Sequence, residues 1–365
     1  MPRVIGIDPG TLTIDVCGLD NGALFLDRSL PTADALARPE ALLRLLDEAH
    51  ETSPLDLVAG PSGYGLPLTA ARDVSEADLR LAQLSAEGEQ SGGIGGLGSL
   101  MRMLAGSGVP VVFTPGVIHL TSVPDHRKVN RVDMGTADKV CAAALAIHEQ
   151  AERRRCRTED VSLILLELGG AFSAALGVWN GAIVDGAGGT SGPIGLRGAG
   201  ALDGEVALLA GSVPKRMLFG GGAGTIAGAP EAPPEAIASP TTARGRLAWE
   251  AFLESAVKAV AALAIAVPGV REVVLSGRLA HLAPVREQLE RRLTAVGGGM
   301  SLRPLAGFAS VAKQAAQGAA LIADGLSGGT SAALVHAMGI RQARGTALDH
   351  LYVISPSAAR ERLGI

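Results

Sequence analysis

Cysteine is scarce: Cys17, Cys141 and Cys156 are the only three in 365 residues. They are odd in number, far apart and without metal-ligand spacing. That excludes a disulfide framework and a zinc site and fits a reducing, cytoplasmic setting. Charge of one sign is lacking as well. The net charge is −4, and the one basic run, Arg153 to Arg155, reads as a solvated helix end, so no nucleic-acid partner is indicated. Long hydrophobic runs are missing. The most apolar stretch, Ala256 to Gly269, contains Lys258 and falls short of the ~20 residues that span a bilayer, so it reads as a buried helix and no membrane partner is expected. No basic segment followed by an apolar core precedes the first strand, which argues against a secretory signal. The phosphate motif GxxxxGK[ST] is absent. One GxGxxG match, Gly93 to Gly98, follows the polar AEGEQSG rather than a strand, with no acid at the expected distance. A surface loop is expected there.

What is present is a chain too long for one ordinary core and 47% apolar, which predicts two domains. Comparison of the sequence with itself divides it further. When VIGIDPGTLTIDVCGLDNGALFLD (Val4 to Asp27) is set over LILLELGGAFSAALGVWNGAIVDG (Leu163 to Gly186), Asp8 meets Glu167, Gly10 meets Gly169 and Gly18 meets Gly177. Asn21-Gly22-Ala23 meets Asn180-Gly181-Ala182. Each copy predicts three antiparallel strands, the first ending at an acid and a glycine turn, the others joined by an Asn-Gly hairpin of type I′. The register of several glycines and an acid marks a structural repeat.

After each meander come helix and strand signals. In the first half these are a helix over Pro39 to Glu51, a strand over Leu55 to Ala59, a helix over Glu76 to Ser85 and a strand over Val109 to Phe113. A long helix over Asp133 to Gln150 then joins the halves. Thr242 to Val267 reads as a helix, Glu272 to Leu275 as a strand, Pro284 to Leu293 and Val311 to Leu326 as helices. Gly228 to Ser239 and Gly88 to Gly98 are the expected loops. GTSAALVHAMGI predicts one further helix and offers a homodimer surface. The expected fold is α/β and bilobal, with a cleft between lobes.

In such a cleft a phosphate is best held by the backbone amides of glycine turns. Pro9-Gly10-Thr11 and Gly169-Gly170-Ala171 are two such turns, expected to face one another. Asp8 and Glu167 would repel phosphate directly but can orient magnesium beside a triphosphate, the cation bridging both charges. Each acid also has a plain reading as a turn cap.

These segments resemble a family. GIDPGT paired with ILLELGGAFSAAL, the helix opening DMGTADK (Asp133 to Lys139), the turn VVLSGRL (Val273 to Leu279) and the close AAQGAALIADGLSGG (Ala315 to Gly329) look like the five-part pattern of the acetate and sugar kinase, heat-shock chaperone and actin ATPase superfamily. Within it the chain is most similar to the predicted butyrate kinase family. The resemblance implies two actin-like, ribonuclease H-like domains related by internal duplication, with an ATP cleft between them. Residues 1–135 would form the acceptor-side domain, and 136–310 the nucleotide-side domain with the first interdomain helix. Residues 311–365 would carry the second such helix and a tail. It also implies that Gly10, Thr11 and Thr13 make one phosphate loop and Gly169, Gly170 and Ala171 the other. Ser276, Gly277 and Arg278 would lie against adenosine. The cofactors implied are ATP and Mg2+. Glu167 departs from the aspartate many members carry.

The acceptor is less legible. A carboxylate acceptor is already ionised near neutral pH and needs cations rather than a base. Arg127, Lys128 and Arg131 precede the first long helix and Arg197 follows GAGGTSGPIGLRG, although a loop in solvent also suits them. An alcohol acceptor needs a base, for which Asp133 or Asp138 would serve; both also read as first-turn helix acids. His119 and His126 read as cleft-edge loop residues, Tyr64 in GPSGYGLPLT as a pocket wall or a packed turn, and Asp203 as the start of a scaffold helix. The expected function is an ATP-dependent kinase acting on a small carboxylate. The alternatives are a sugar or hydroxy-acid kinase, or an ATPase whose lobes signal to a protein partner.

Overall fold

The computed structural model describes residues 2–38, 40–85, 96–296 and 299–365. In the first half, strands β1 (Arg3–Pro9), β2 (Thr13–Asp20), β3 (Ala23–Pro31), β4 (Leu57–Pro61), β5 (Thr69–Ala70) and β6 (Val111–Thr114) form one sheet in the order β3-β2-β1-β4-β6-β5. In the second half, β7 (Leu163–Leu168), β8 (Ser173–Trp179), β9 (Ala182–Ala187), β10 (Glu272–Ser276) and β11 (Ser301–Pro304) form another in the order β11-β10-β7-β8-β9. Read from the meander inward, the two orders match, with two antiparallel pairs followed by two parallel ones.

The match extends to single residues. Val4 pairs with Leu19 in β1–β2 and Leu163 with Val178 in β7–β8, positions that the sequence comparison sets over one another. The second hairpin shifts register between Gly18 and Leu19 in one copy and between Gly177 and Val178 in the other. Both turns adopt the expected type I′ geometry: Asn21 and Gly22 have φ of 54° and 79°, Asn180 and Gly181 have 53° and 76°. A shared bulge is a stronger sign of duplication than a shared turn, because nothing in hairpin formation alone demands it there.

Two helices link the halves. The first spans Ala137–Arg154, the second Gln314–Leu326; they pack on each other, and the second packs on β1. Close approach sets their composition. A Cβ at Gly318 would lie 1.7 Å from the Cys141 carbonyl oxygen, and one at Gly6 would lie 2.1 Å from the Ala320 nitrogen, so neither position tolerates a side chain. The resulting core joins both helices to β1, β2, β7 and β8, while each half keeps a further apolar core of its own. Among the described residues no helix is long and apolar enough to cross a membrane; the run from Ala256 lies in the helix Ala243–Ala264.

Element positions depart from expectation in informative ways. The first linking helix begins at Ala137 rather than Asp133 because Gly135 sits at φ 127°, a conformation that helices exclude; Asp133 therefore precedes the helix and is no first-turn acid. The second begins at Gln314 rather than Val311, since Asp27 takes the backbone N–H groups of Ser310, Val311 and Ala312. Gly228 to Ser239 is not all loop: Pro234–Ala238 is helical. The expected loop at Gly88 to Gly98 lies outside the described residues up to position 95, and a helix starts at Leu97. The further helix in GTSAALVHAMGI is Ala332–Ala337, and an unexpected one, Pro356–Leu363, follows. Arg153 to Arg155 form an exposed helix end as expected, and Arg153 and Arg154 also ion-pair with the buried Glu272 on β10.

Candidate functional site

The two glycine turns are copies in their hydrogen bonding. The Gly10 N–H donates to the Thr13 carbonyl at 2.9 Å and the Gly169 N–H donates to the Phe172 carbonyl at 2.9 Å. A Cβ would come within 2.8 Å of that accepting oxygen in either turn, so each closes only around glycine. Thr11 is exposed at the tip of the first turn, Gly170 and Ala171 half-buried in the second.

The acids at the strand ends meet at the head of the first linking helix. Glu167 accepts from the Lys139 ammonium at 2.5 Å, and Asp138 accepts from the same nitrogen at 2.6 Å. Asp138 also accepts a short bond from the Thr136 hydroxyl. Asp8 lies within the field of both Asp138 and Lys139. The environments differ. Burial alone would raise Asp138, but Lys139 and Thr136 hold it below the usual carboxylate range. Burial raises Glu167 against the pull of Lys139. Asp8 makes no side-chain hydrogen bond or ion pair among the described residues; burial, with the negative charge of Asp138, pushes it up to about 8.

Asp15, paired with Asp8 across β1–β2, is fully buried and holds a second lysine. Its Oδ2 accepts from the Thr13 hydroxyl at 2.7 Å and faces the Lys313 ammonium at 3.2 Å, while its Oδ1 has no partner. Lys313 also donates a short bond to the Thr13 hydroxyl.

Behind the second turn lies the glycine-rich segment 186–198. Arg197 and Gly198 donate their N–H groups to the Ala171 carbonyl, and Phe172 fills the space that side chains at Gly189 and Gly198 would need. Gly277, at φ 87°, packs on the backbone of Leu168 and Gly169, and the Arg278 side chain passes 3.8 Å from the Cβ position of Gly170. The structure thus gathers Gly169, Gly170, Ala171, Ser276, Gly277 and Arg278 at one turn, and Asp8, Gly10 and Thr13 at the other.

The acceptor-side residues fare unevenly. Asp133 is buried and raised by burial, yet its carboxylate accepts from the Gly135 N–H at 3.2 Å and from the Thr190 N–H and hydroxyl at 2.8 and 2.9 Å. It clamps the glycine-rich segment. Arg197 is half exposed and ion-pairs with Glu231 at 3.0 Å; Arg131 is half-buried and makes no side-chain bond among the described residues. Lys128 is not in solvent: it is buried and donates to the Leu120 carbonyl at 3.0 Å. Arg127 donates to the Val184 carbonyl on β9 at 2.8 Å. His119 is buried, not a surface loop residue, and burial lowers it to about 4, whereas His126 is exposed. Asp203 caps a short exposed helix, Gly204–Ala210. Tyr64 packs under Lys215, whose ammonium lies 4.9 Å from its ring centroid and donates to the Leu84 carbonyl at 2.7 Å. A second-half residue thereby reaches the first half.

Sequence reasoning missed Lys139 and Lys313 as site residues. The signal was available, since each is the only cation near the head of an otherwise Ala-rich, apolar helix. A cavity of about 680 Å³ lies elsewhere, lined by His148, Glu152, Cys156, Thr158 and Ser331. It sits toward the far end of the first linking helix, where His148 and Glu152 lie roughly 14 and 20 Å from Lys139 by helical rise.

With that geometry in view, a family model matches residues 6–353. The chain belongs to the family described as a protein of unknown function, DUF1464. No curated protein matches it. Solved structures do. A propionate kinase from Francisella tularensis subsp. tularensis is similar at 12% identity and a TM-score of 0.62, over 87% of this chain and 99% of that one. An acetate kinase from Porphyromonas gingivalis matches at 14% identity and a TM-score of 0.59, over 87% and 98%. A Listeria monocytogenes protein named as a candidate N-acetylmannosamine kinase matches at 13% identity and a TM-score of 0.51, over 92% and 99%. At these identities the likeness shows the fold alone: α/β, with two actin-like domains.

Proposed function

We propose that this DUF1464 member is an ATP-dependent phosphotransferase whose acceptor is a short-chain carboxylate of about butyrate size. The observation that carries the reading is the convergence of two glycine turns closed by the same backbone bond, with Asp8, Asp138 and Glu167, on the head of one linking helix. Its support from fold likeness comes from structures titled acetate and propionate kinase. In this reading the domains meet near residues 135 and 310. Gly10, Thr11 and Thr13 bind phosphate on one side, Gly169, Gly170 and Ala171 on the other, and Ser276, Gly277 and Arg278 border the nucleoside.

Magnesium fits the donors present. They are the carboxylate oxygens of Asp8 and Glu167. That suits an ion which takes one or two carboxylates and completes its shell with water and phosphate oxygens. Asp8 is the carboxylate without a partner and would hold it, with Glu167 on the opposite side. The ion, when bound, neutralises charge developing on the transferring phosphoryl group.

The chain's own residues do the rest. Turn amides orient the phosphates, Arg131 and Arg197 supply positive charge for the acceptor, and closure of the two domains excludes water. No proton has to be removed from an ionised carboxylate. This favours the carboxylate over an alcohol, because both candidate bases are engaged: Asp133 by three donors, Asp138 by Lys139 and Thr136. The test is a hydroxylamine-trapping screen of C2 to C6 carboxylic acids with Mg-ATP, since acyl phosphates form hydroxamates and phosphate monoesters do not. Hydroxamate from one of these acids is expected. Activity on sugars or hydroxy acids alone would move the assignment to an alcohol kinase, and hydrolysis stimulated only by a protein would move it to a signalling ATPase.

A further inference from the structure

Lys313 is not among the residues assigned above, yet its ammonium stands over the first glycine turn. The Cβ that Gly10 lacks would lie 3.4 Å from Lys313 Nζ. An ammonium offers three N–H donors. One goes to the Thr13 hydroxyl, the ammonium ion-pairs with Asp15 Oδ2 at 3.2 Å, and the side chain remains 46% exposed. The ammonium meets the acid at one oxygen, and Asp15 Oδ1 is buried without a partner. The amine is held at the edge of the acid, with nearly half of its side chain open.

Its position is fixed from behind. Lys313 is the residue before the first turn of the second linking helix. That helix cannot slide on β1, because Gly6 meets the backbone of Ala316 and Ala320 within 2.2 Å of a Cβ position. The approach to it is clamped by Asp27, which accepts from the N–H groups of residues 310–312. The surroundings also call for a cation. Asp8, Asp15 and Asp138 share one field at the first turn, and of the two lysines within it Lys139 is already held by Asp138 and Glu167, which leaves Lys313 as the exposed one.

Resting on the phosphotransferase reading, we infer that Lys313 is a phosphate-binding residue of the first turn, oriented by Asp15 and Thr13 and delivered by the second linking helix. The anion it takes is a polyphosphate chain, and the contact is a charge-assisted hydrogen bond. Because the lysine is rooted in a helix that packs on the first linking helix, phosphate occupancy at this turn is felt by both linkers at once.

The test compares three probes by calorimetry on the full-length protein and on Lys313→Met and Lys313→Arg: Mg-ATP, Mg-tripolyphosphate and adenosine. Lys313→Met is expected to weaken ATP and tripolyphosphate about 10- to 100-fold, the range for one charge-assisted bond, and to leave adenosine unchanged. Lys313→Arg should recover most of the loss. Equal weakening of all three probes would mean a structural role, and unchanged ATP affinity would remove the inference. Tripolyphosphate binding without adenosine or ATP binding would sink the nucleotide reading while leaving the lysine's role intact; no binding of any probe by the native protein would end both. A measurement without variants runs in parallel. Mg-ATP should protect Lys313 from an amine-reactive acylating reagent, read by peptide mass spectrometry, and adenosine should not.

Discussion

Asp8 gives the sharpest physical prediction. Its carboxyl is buried beside Asp138 and Asp15, has no hydrogen-bonding partner among the described residues, and is pushed up to about 8. At pH 7 only about one molecule in ten would then carry it ionised. A divalent ion takes the ionised form, so binding Mg-ATP must expel this proton. Two consequences follow. Calorimetry at pH 7 in buffers of different ionisation enthalpy should report release of close to one proton per Mg-ATP bound. Affinity should climb about tenfold per pH unit from pH 6 until it levels above pH 8. The stability of the empty protein moves the other way. The folded carboxyl holds its proton more tightly than the unfolded one, so its contribution is full below about pH 4 and is lost progressively as pH rises through about 8. Asp8→Asn should abolish the proton release and flatten this slope, gaining on the native protein about 1.4 kcal/mol for each pH unit between about 4 and 8, because the amide has no proton to lose on unfolding. A proton count near zero, with affinity flat from pH 6.5 to 8.5, would refute the account of Asp8 as the uncompensated acid.

Lys139→Met leaves Glu167 and Asp138 buried without their shared cation and should destabilise the fold by about 3–5 kcal/mol in urea titrations, more at pH 8 than at pH 4. Gly318→Ala drives a methyl to 1.7 Å from the Cys141 carbonyl and should cost at least about 1–3 kcal/mol, visible as a lowered Tm, because neither linking helix can retreat from its core. Asp133→Asn keeps an acceptor for Thr190 and should lower kcat on a carboxylate less than tenfold; a loss beyond about a thousandfold, with ATP binding intact, would restore Asp133 as the base of an alcohol kinase.

The parts of this molecule that local chemistry dictates were legible in its residues. Asn-Gly between alternating apolar runs has few conformations open to it, so both hairpins stand where expected, and the glycines that line up in the self-comparison occupy equivalent turns and bulges. The parts that stayed hidden depend on partners distant in sequence. Lys313 and Thr13 lie three hundred residues apart, and Arg153 meets Glu272 only through the packing of a helix on a sheet. Asp133 was misplaced for a related reason. DMGTADK has a helical beginning in composition, but the positive φ of Gly135 is set by the close approach of Leu176 and Val117, which no local pattern reveals.

Duplication also explains why the two turns need not do the same work. The backbone bond that closes each is the same, so the turn was inherited in both copies, whereas the lysines beside them come from outside the repeat. Lys139 enters from the first linking helix and neutralises Glu167; Lys313 enters from the second and settles on Thr13 and Asp15, leaving Asp8 bare. The second turn is thus balanced without a ligand and the first is not. A cation and its polyphosphate gain most by entering on the Asp8 side, where they replace a proton, and least beside Glu167, where they must compete with an ammonium already in place. The longer arm of Glu167 then serves its lysine, and the asymmetry of the proposed site follows from where two helices begin rather than from the turns themselves.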